Sequence, residues 1–152
     1  MESVQVTING EPNMLYKHFT EKLLGLQGLI ITNVEENEKS IIIYAEMERK
    51  EHTCICCGTA TNTVHDYREQ IIKDIPAFGK LVKIVLRKRR YCCKCCGKRF
   101  LEINSFLPKY HRITNRLSAF VIDKLRDERS FTSVAREVNL SVTTVIRIFD
   151  TV

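Results

Sequence analysis

The chain has 152 residues, 28% of them charged and 44% hydrophobic, with a formal net charge of +6. That length fits one ordinary domain or two to three very small ones, and the composition excludes a disordered chain. No apolar run approaches the ~20 residues of a membrane helix, and the first residues lack both the basic and the apolar region of a secretory signal. A cytoplasmic protein with no membrane partner is therefore expected. Thiols stay reduced in that compartment, so the seven cysteines argue for metal rather than disulfides.

From the N-terminus, Leu15, Phe19, Leu23 and Leu26 recur at helical spacing, and Gly25 and Gly28 are expected to end that helix. Two β-type runs follow, at 29–34 and 40–47, joined by the polar stretch 35–39. Residues 1–51 thus predict a small cap of one helix and a β-hairpin, with no chemistry visible in it.

Residues 52–108 predict a second unit built around two cysteine clusters, Cys54-Ile55-Cys56-Cys57-Gly58 and Cys92-Cys93-Lys94-Cys95-Cys96-Gly97. A Cys-x-x-Cys turn aims two thiolates at one point, and two such turns supply the four soft ligands of a tetrahedral zinc site. The first cluster offers one such pair, Cys54 with Cys57. The second offers Cys92 with Cys95, or Cys93 with Cys96. The glycine directly after the last ligand selects Cys93 and Cys96, which leaves Cys56, Cys92 and Cys95 as neighbouring thiols without an assigned role. The ligand set is then Cys54, Cys57, Cys93 and Cys96, holding one structural zinc in a closed site. Between the clusters a strand is expected over 69–75, a turn at Pro76-Ala77-Phe78-Gly79 and a long strand over 81–91. In that strand Val82, Ile84 and Leu86 share one face, while Lys83, Arg87 and Arg89 share the other. A strand pair carrying a zinc knuckle at each distal end is a zinc ribbon.

Residues 109–152 change to helical spacing. The apolar positions are Ile113, Leu117, Phe120, Val121 and Leu125, then Phe131, Val134, Ala135 and Val138, then Val142, Val145, Ile146 and Phe149. Ser130 and Ser141 stand where N-caps are wanted. Asn139 tolerates the positive φ of a tight turn. Helix, helix, short turn, helix is the helix-turn-helix plan. The fold expected is α+β: a helix/β-hairpin cap, a zinc-ribbon β-hairpin and a C-terminal three-helix helix-turn-helix.

Charge is uneven along this plan. Residues 1–53 hold five basic and nine acidic side chains, whereas residues 80–108 hold nine basic and one acidic. Such a local patch costs self-repulsion unless a polyanion relieves it, and nucleic acid is the leading partner. Lys83, Arg87, Lys88, Arg89, Arg90, Lys98 and Arg99 are the expected phosphate contacts, which position a protein without reading bases. If Val142, Val145, Ile146 and Phe149 pack inward, Thr143, Thr144 and Arg147 face out, with Ser141 at the helix start. Thr143, Thr144 and Arg147 are the candidate base readers in a major groove, and Ser141 is a further expected DNA-binding residue.

Taken together, these residues resemble the N-terminal region of ISL-three family insertion-sequence transposases. The resemblance is carried by Cys54 to Gly58, His65-Asp66-Tyr67, Ile71 to Pro76, Phe78-Gly79-Lys80, Arg89-Arg90-Tyr91, Cys93 to Phe100 and the helix-turn-helix from Ser130 to Phe149. It implies binding of double-stranded DNA at the terminal inverted repeats of a mobile element, and a homo-oligomer formed through transposase subunits. It also implies that cutting and joining belong to a downstream acidic-triad nuclease domain outside these residues, so no catalysis is expected here. Two other readings stand beside it: a zinc-ribbon module that docks on protein, and a stand-alone transcription regulator.

Overall fold

The computed structural model describes residues 25, 26, 28–104, 106, 107 and 112–151. The helix expected over 14–26 lies almost wholly outside them. The two following strands are β1 (Leu29–Glu36) and β2 (Ser40–Met47), which pair antiparallel. Asn37 closes their turn by accepting from the backbone N–H of Lys39 and Ser40 at 2.9 and 2.7 Å.

The ribbon hairpin is longer than its sequence pattern predicts. It consists of β5 (Val64–Ala77) and β6 (Lys80–Cys92), joined at Phe78-Gly79, both with positive φ. Two short strands, β3 (His52–Thr53) and β4 (Ala60–Thr61), flank the first knuckle, and β7 (Arg99–Leu101) returns from the second to pair with β6. The sheet order is β1-β2-β6-β5, and β2 runs parallel to β6 from Ser40↔Leu81 to Glu46↔Arg87. An unpaired β2 edge would be a site for illicit pairing, and β6 covers it. The sheet therefore continues across the expected division at 51/52.

Hairpin length has a consequence for packing. Near its turn, Val82, Ile84, Leu86 and Ile72 are buried with Leu29, Ile43, Ala45, Phe106 and Leu107. Near the knuckles, the buried residues of β6 are Arg89 and Tyr91, on the opposite face. The pairing with β5 runs without a bulge from Asp74↔Val82 to Asp66↔Arg90. One strand thus serves two cores on opposite faces. The second is small: Cys54, Tyr91, Cys93 and Phe100, with Val64 against them.

Three helices follow: α1 (Asn115–Arg126), α2 (Phe131–Glu137) and α3 (Val142–Phe149). Ser130 and Ser141 are the N-caps of α2 and α3, their hydroxyls accepting from Ser133 N and Thr144 N at 3.2 and 3.1 Å. Helix α2 ends in a Schellman turn: Leu140 N donates to Ala135 O at 2.9 Å, Asn139 N to Arg136 O at 3.4 Å, and Asn139 takes φ 52°. Leu117, Val121, Val134, Ala135, Val138, Val145 and Ile148 form their common core. Here the structure corrects the phase expected for α3. Of the four residues expected inward only Val145 is buried, and Ile148 joins it, while Val142, Ile146 and Phe149 are 38%, 40% and 49% exposed.

Candidate metal centre and nucleic-acid face

The two knuckles repeat one local hydrogen-bond scheme. Cys54 N donates to Thr59 O and Gly58 N to Cys54 O, at 2.9 and 3.0 Å; Cys93 N donates to Lys98 O and Gly97 N to Cys93 O, both at 2.9 Å. Gly58 and Gly97 have φ of 72° and 70°. A Cβ would meet nothing within 4 Å at either position, so backbone conformation alone calls for glycine there.

Because β5 and β6 are antiparallel, the knuckle before β5 and the knuckle after β6 meet at one end of the hairpin. The Sγ atoms of Cys54, Cys57, Cys93 and Cys96 all lie within 4.8 Å of one another. Across the cluster, Cys54 Sγ is 3.6 Å from Cys96 Sγ, and Cys57 Sγ is 3.5 Å from Cys93 Sγ. A tetrahedron with Zn–S bonds of ~2.3 Å has edges of about 3.8 Å, so the four sulfurs fit one zinc. Cys54 and Cys93 are buried, while Cys57 and Cys96 are exposed. Among the described residues this is the one grouping of three or more metal-ligating side chains. Cys56 and Cys95 are exposed, and Cys92 Sγ lies near the carbonyls of Cys93 and Gly97, at 3.9 and 4.0 Å.

The metal-free thiols titrate far apart. The Thr59 hydroxyl and backbone N–H, with help from Cys93, lower Cys57 to about 6. At Cys96 the Lys98 backbone N–H lowers the thiol, but burial and the neighbouring Cys54, Cys57 and Cys93 outweigh it and push it up to about 12. Four thiolates this close repel one another, and a divalent cation is what allows all of them to ionise.

The basic candidates separate into two groups. Lys98 and Arg99 are exposed beside the second knuckle, as is Lys94. Arg87 is exposed with its guanidinium over the Tyr67 ring, 3.9 Å from the centroid. Lys83 and Lys88 are half-buried, and burial lowers the Lys88 ammonium despite the opposing pull of Glu102. Arg90 is half-buried and paired with Asp66 at 3.3 Å. Arg89 departs from expectation. It is 6% exposed and faces Glu46 and Glu102, each at 3.5 Å. A cation enclosed in this way is a core group, so Arg89 drops out of the set available to phosphate.

On α3, Thr143 and Arg147 are exposed, Thr144 is half-buried, and Ser141 holds the cap with its Oγ 2.7 Å from Thr144 Oγ1. Arg147 makes no ion pair among the described residues. Ile146 joins Thr143 and Arg147 on the outward face, a residue that periodicity alone had assigned to the core.

Zinc knuckles on a β-hairpin followed by a helix-turn-helix define a zinc-ribbon and helix-turn-helix protein. Residues 50–96 match the zinc-finger of transposase IS204/IS1001/IS1096/IS1165, and residues 102–152 match the helix-turn-helix domain of transposase family ISL3. The chain is also 32% identical over 135 residues, 87% of its length, to the transposase for insertion sequence element IS1001 of Bordetella parapertussis. Both matches are to ISL3-type transposase domains, so the chain carries a zinc ribbon and a helix-turn-helix of the kind found in that family. It spans 33% of the length of that relative. No solved structure matches it. The family's zinc-ribbon domain and the four clustered cysteines together support one structural zinc. No described helix is long and apolar enough to cross a membrane.

Proposed function

We propose that this chain is the DNA-recognition region of a transposase, binding the double-stranded terminal inverted repeats of a mobile element without carrying out the cutting and joining. The observation that carries this reading is the outward face of α3, where Thr143, Ile146 and Arg147 stand exposed at the start and middle of a capped helix. The match to a family helix-turn-helix and the exposed cations at Arg87, Lys94, Lys98 and Arg99 support it. In this reading Cys54, Cys57, Cys93 and Cys96 hold zinc for folding. Lys83, Arg87, Lys88, Arg90, Lys98 and Arg99 grip phosphates, and Ser141, Thr143, Thr144 and Arg147 face the groove.

Salt dependence tests the reading. Each phosphate contact contributes a log–log slope of about −0.9. The triple variant Arg87→Ala, Lys98→Ala, Arg99→Ala is expected to flatten the slope by roughly 2 to 3 units, equally on all duplex sequences. A slope that is flat in the unmodified chain selects the protein-docking alternative, which the exposed Phe131–Phe149 edge-to-face pair favours.

Base reading has its own test. Arg147→Ala is expected to relax preference at one position, at a cost of about 1–3 kcal/mol on the preferred base. Ile146 suits an apolar contact to a thymine methyl. Replacing thymine by uracil in the selected site is expected to weaken binding by the unmodified chain, and to have little effect on Ile146→Ala.

A further inference from the structure

The ribbon and the helix-turn-helix are joined by more than chain connectivity. Asp74, on β5, has a fully buried side chain that touches neither the cysteine cage nor the exposed cations. Its Oδ1 accepts from Thr114 Oγ1 and from Arg116 Nε, both at 2.7 Å, and its Oδ2 accepts from the Arg116 guanidinium. Thr114 is the N-cap of α1, and the same hydroxyl accepts from Leu117 N at 3.2 Å. The backbone adds a bridge along the outer edge of β5. Lys73 N donates to Arg112 O at 2.8 Å, and Thr114 N donates to Lys73 O at 3.1 Å.

A second fastening lies at the other end of the helical unit. Lys73 Nζ donates at 2.5 Å to the carbonyl of Asn139, the positive-φ residue in the turn before α3. Ile75, two residues along β5, packs into the helical core. The helix-turn-helix is therefore held at the start of α1 and at the turn that aims α3.

A carboxylate in this position is costly to desolvate, and an apolar side chain could fill the space. What the carboxylate adds is direction, because two fixed donors from α1 define one orientation. If DNA is the partner, as proposed above, orientation matters: a flexible link would let two DNA-contacting surfaces meet sites at variable separation, whereas a rigid link fixes it. We propose that Asp74 is a positioning residue that locks the helix-turn-helix against the basic hairpin, so that a duplex is read as one bipartite site of fixed spacing.

The experiment uses the zinc-loaded chain and two arms. In the first, a duplex is isolated by this chain from a random-sequence pool, its two protected segments are mapped by hydroxyl-radical cleavage, and one to four base pairs are inserted between them. The unmodified chain is expected to lose about tenfold or more in affinity on insertion. Asp74→Ala and Arg116→Ala are expected to lose less than about threefold, with zinc content and helicity unchanged. In the second arm, without DNA, backbone 15N relaxation is expected to give one tumbling time for ribbon and helices in the unmodified chain and two in Asp74→Ala. Arg116→Ala, altered at a partly exposed group, keeps the test decisive should Asp74→Ala fold poorly, and Arg116→Lys should restore part of the spacing restriction. Insertion tolerance in the unmodified chain, or equal intolerance in the variants, overturns the proposal. So does a single tumbling time in Asp74→Ala. If no duplex is enriched, the DNA reading falls and the spacing claim with it, while the relaxation arm still decides whether the lock exists.

Discussion

Cys93→Ser will release the zinc and unfold one end of the ribbon while leaving the other end intact. The reason lies in the two cores of the hairpin. At the zinc end, Tyr91, Phe100 and Val64 are the described apolar residues that back the buried Cys54 and Cys93. A cluster of that size cannot hold a loop-rich segment by burial alone. The binding free energy of a structural zinc is comparable to the net stability of a whole small domain, so removing it decides the state of this end. The turn end rests instead on Ile72, Val82, Ile84 and Leu86 against β1 and β2. Amide exchange should therefore become fast around 52–64 and 90–101 in Cys93→Ser and stay slow at Ile72 and Ile84, with metal analysis falling from one zinc per chain toward none. Cys92→Ser should do neither, because its sulfur faces backbone carbonyls outside the cage. The opposite pair of results would move the ligand set by one residue.

Zinc affinity should also rise with pH. With Cys57 lowered to about 6, Cys96 pushed up to about 12 and Cys93 also raised above the ordinary thiol value, the thiols at neutral pH already lack the Cys57 proton and still hold those on Cys93 and Cys96. Zinc must displace those protons, and each proton released makes affinity about tenfold greater per pH unit. Competition with a chelator at pH 6.5 and 7.5 measures it. An affinity indifferent to pH would mean that the thiols ionise before the metal arrives.

What could be read from the sequence was what is local. A Cys-x-x-Cys-Gly turn carries its whole geometry in five residues, so both knuckles and the choice of Cys93 over Cys92 followed from spacing. The caps at Ser130 and Ser141 and the positive φ at Asn139 are equally local. The phase of α3 was not legible, because eight residues with apolar side chains at 142, 145, 146, 148 and 149 fit two rotations about the helix axis. Which rotation occurs depends on Leu117, Val121 and Val134 beneath it. The parallel pairing of β2 with β6 and the Asp74–Arg116 contact join residues about forty positions apart, and no periodicity records that. Alternation along β6 correctly placed Arg89 on the same side as Lys83 and Arg87. It had no means of showing that this side is open at Arg87 and covered at Arg89.

Arg89→Ala will therefore act on stability, where Arg87→Ala will not. The Arg89 guanidinium donates to Met47 O at 2.5 Å and lies 3.5 Å from both Glu46 and Glu102. The Glu102 side chain is 1% exposed, and its other oxygen accepts from Arg89 N at 3.0 Å. Removing the guanidinium leaves a buried carboxylate with a single backbone donor, a change that costs about 3–5 kcal/mol. Against a total stability of about 5–15 kcal/mol this is a large fraction, and Tm should fall by roughly 10 °C or more. Arg89→Lys should recover only part of the loss, since one ammonium cannot span two carboxylates and a carbonyl in the same fork. The double variant Arg89→Met, Glu102→Met should recover more, because it removes both members of the pair and not only one. Arg87→Ala gives up a surface cation–π contact worth about 0.5–1 kcal/mol and should leave Tm nearly unchanged. In DNA binding the two variants should then differ in kind: Arg87→Ala shifts the salt slope at constant Tm, and Arg89→Ala loses binding only as it loses structure. An Arg89→Ala protein that melts normally but binds DNA with a slope reduced by about one unit would return Arg89 to the phosphate-contacting face that simple strand alternation assigned to it.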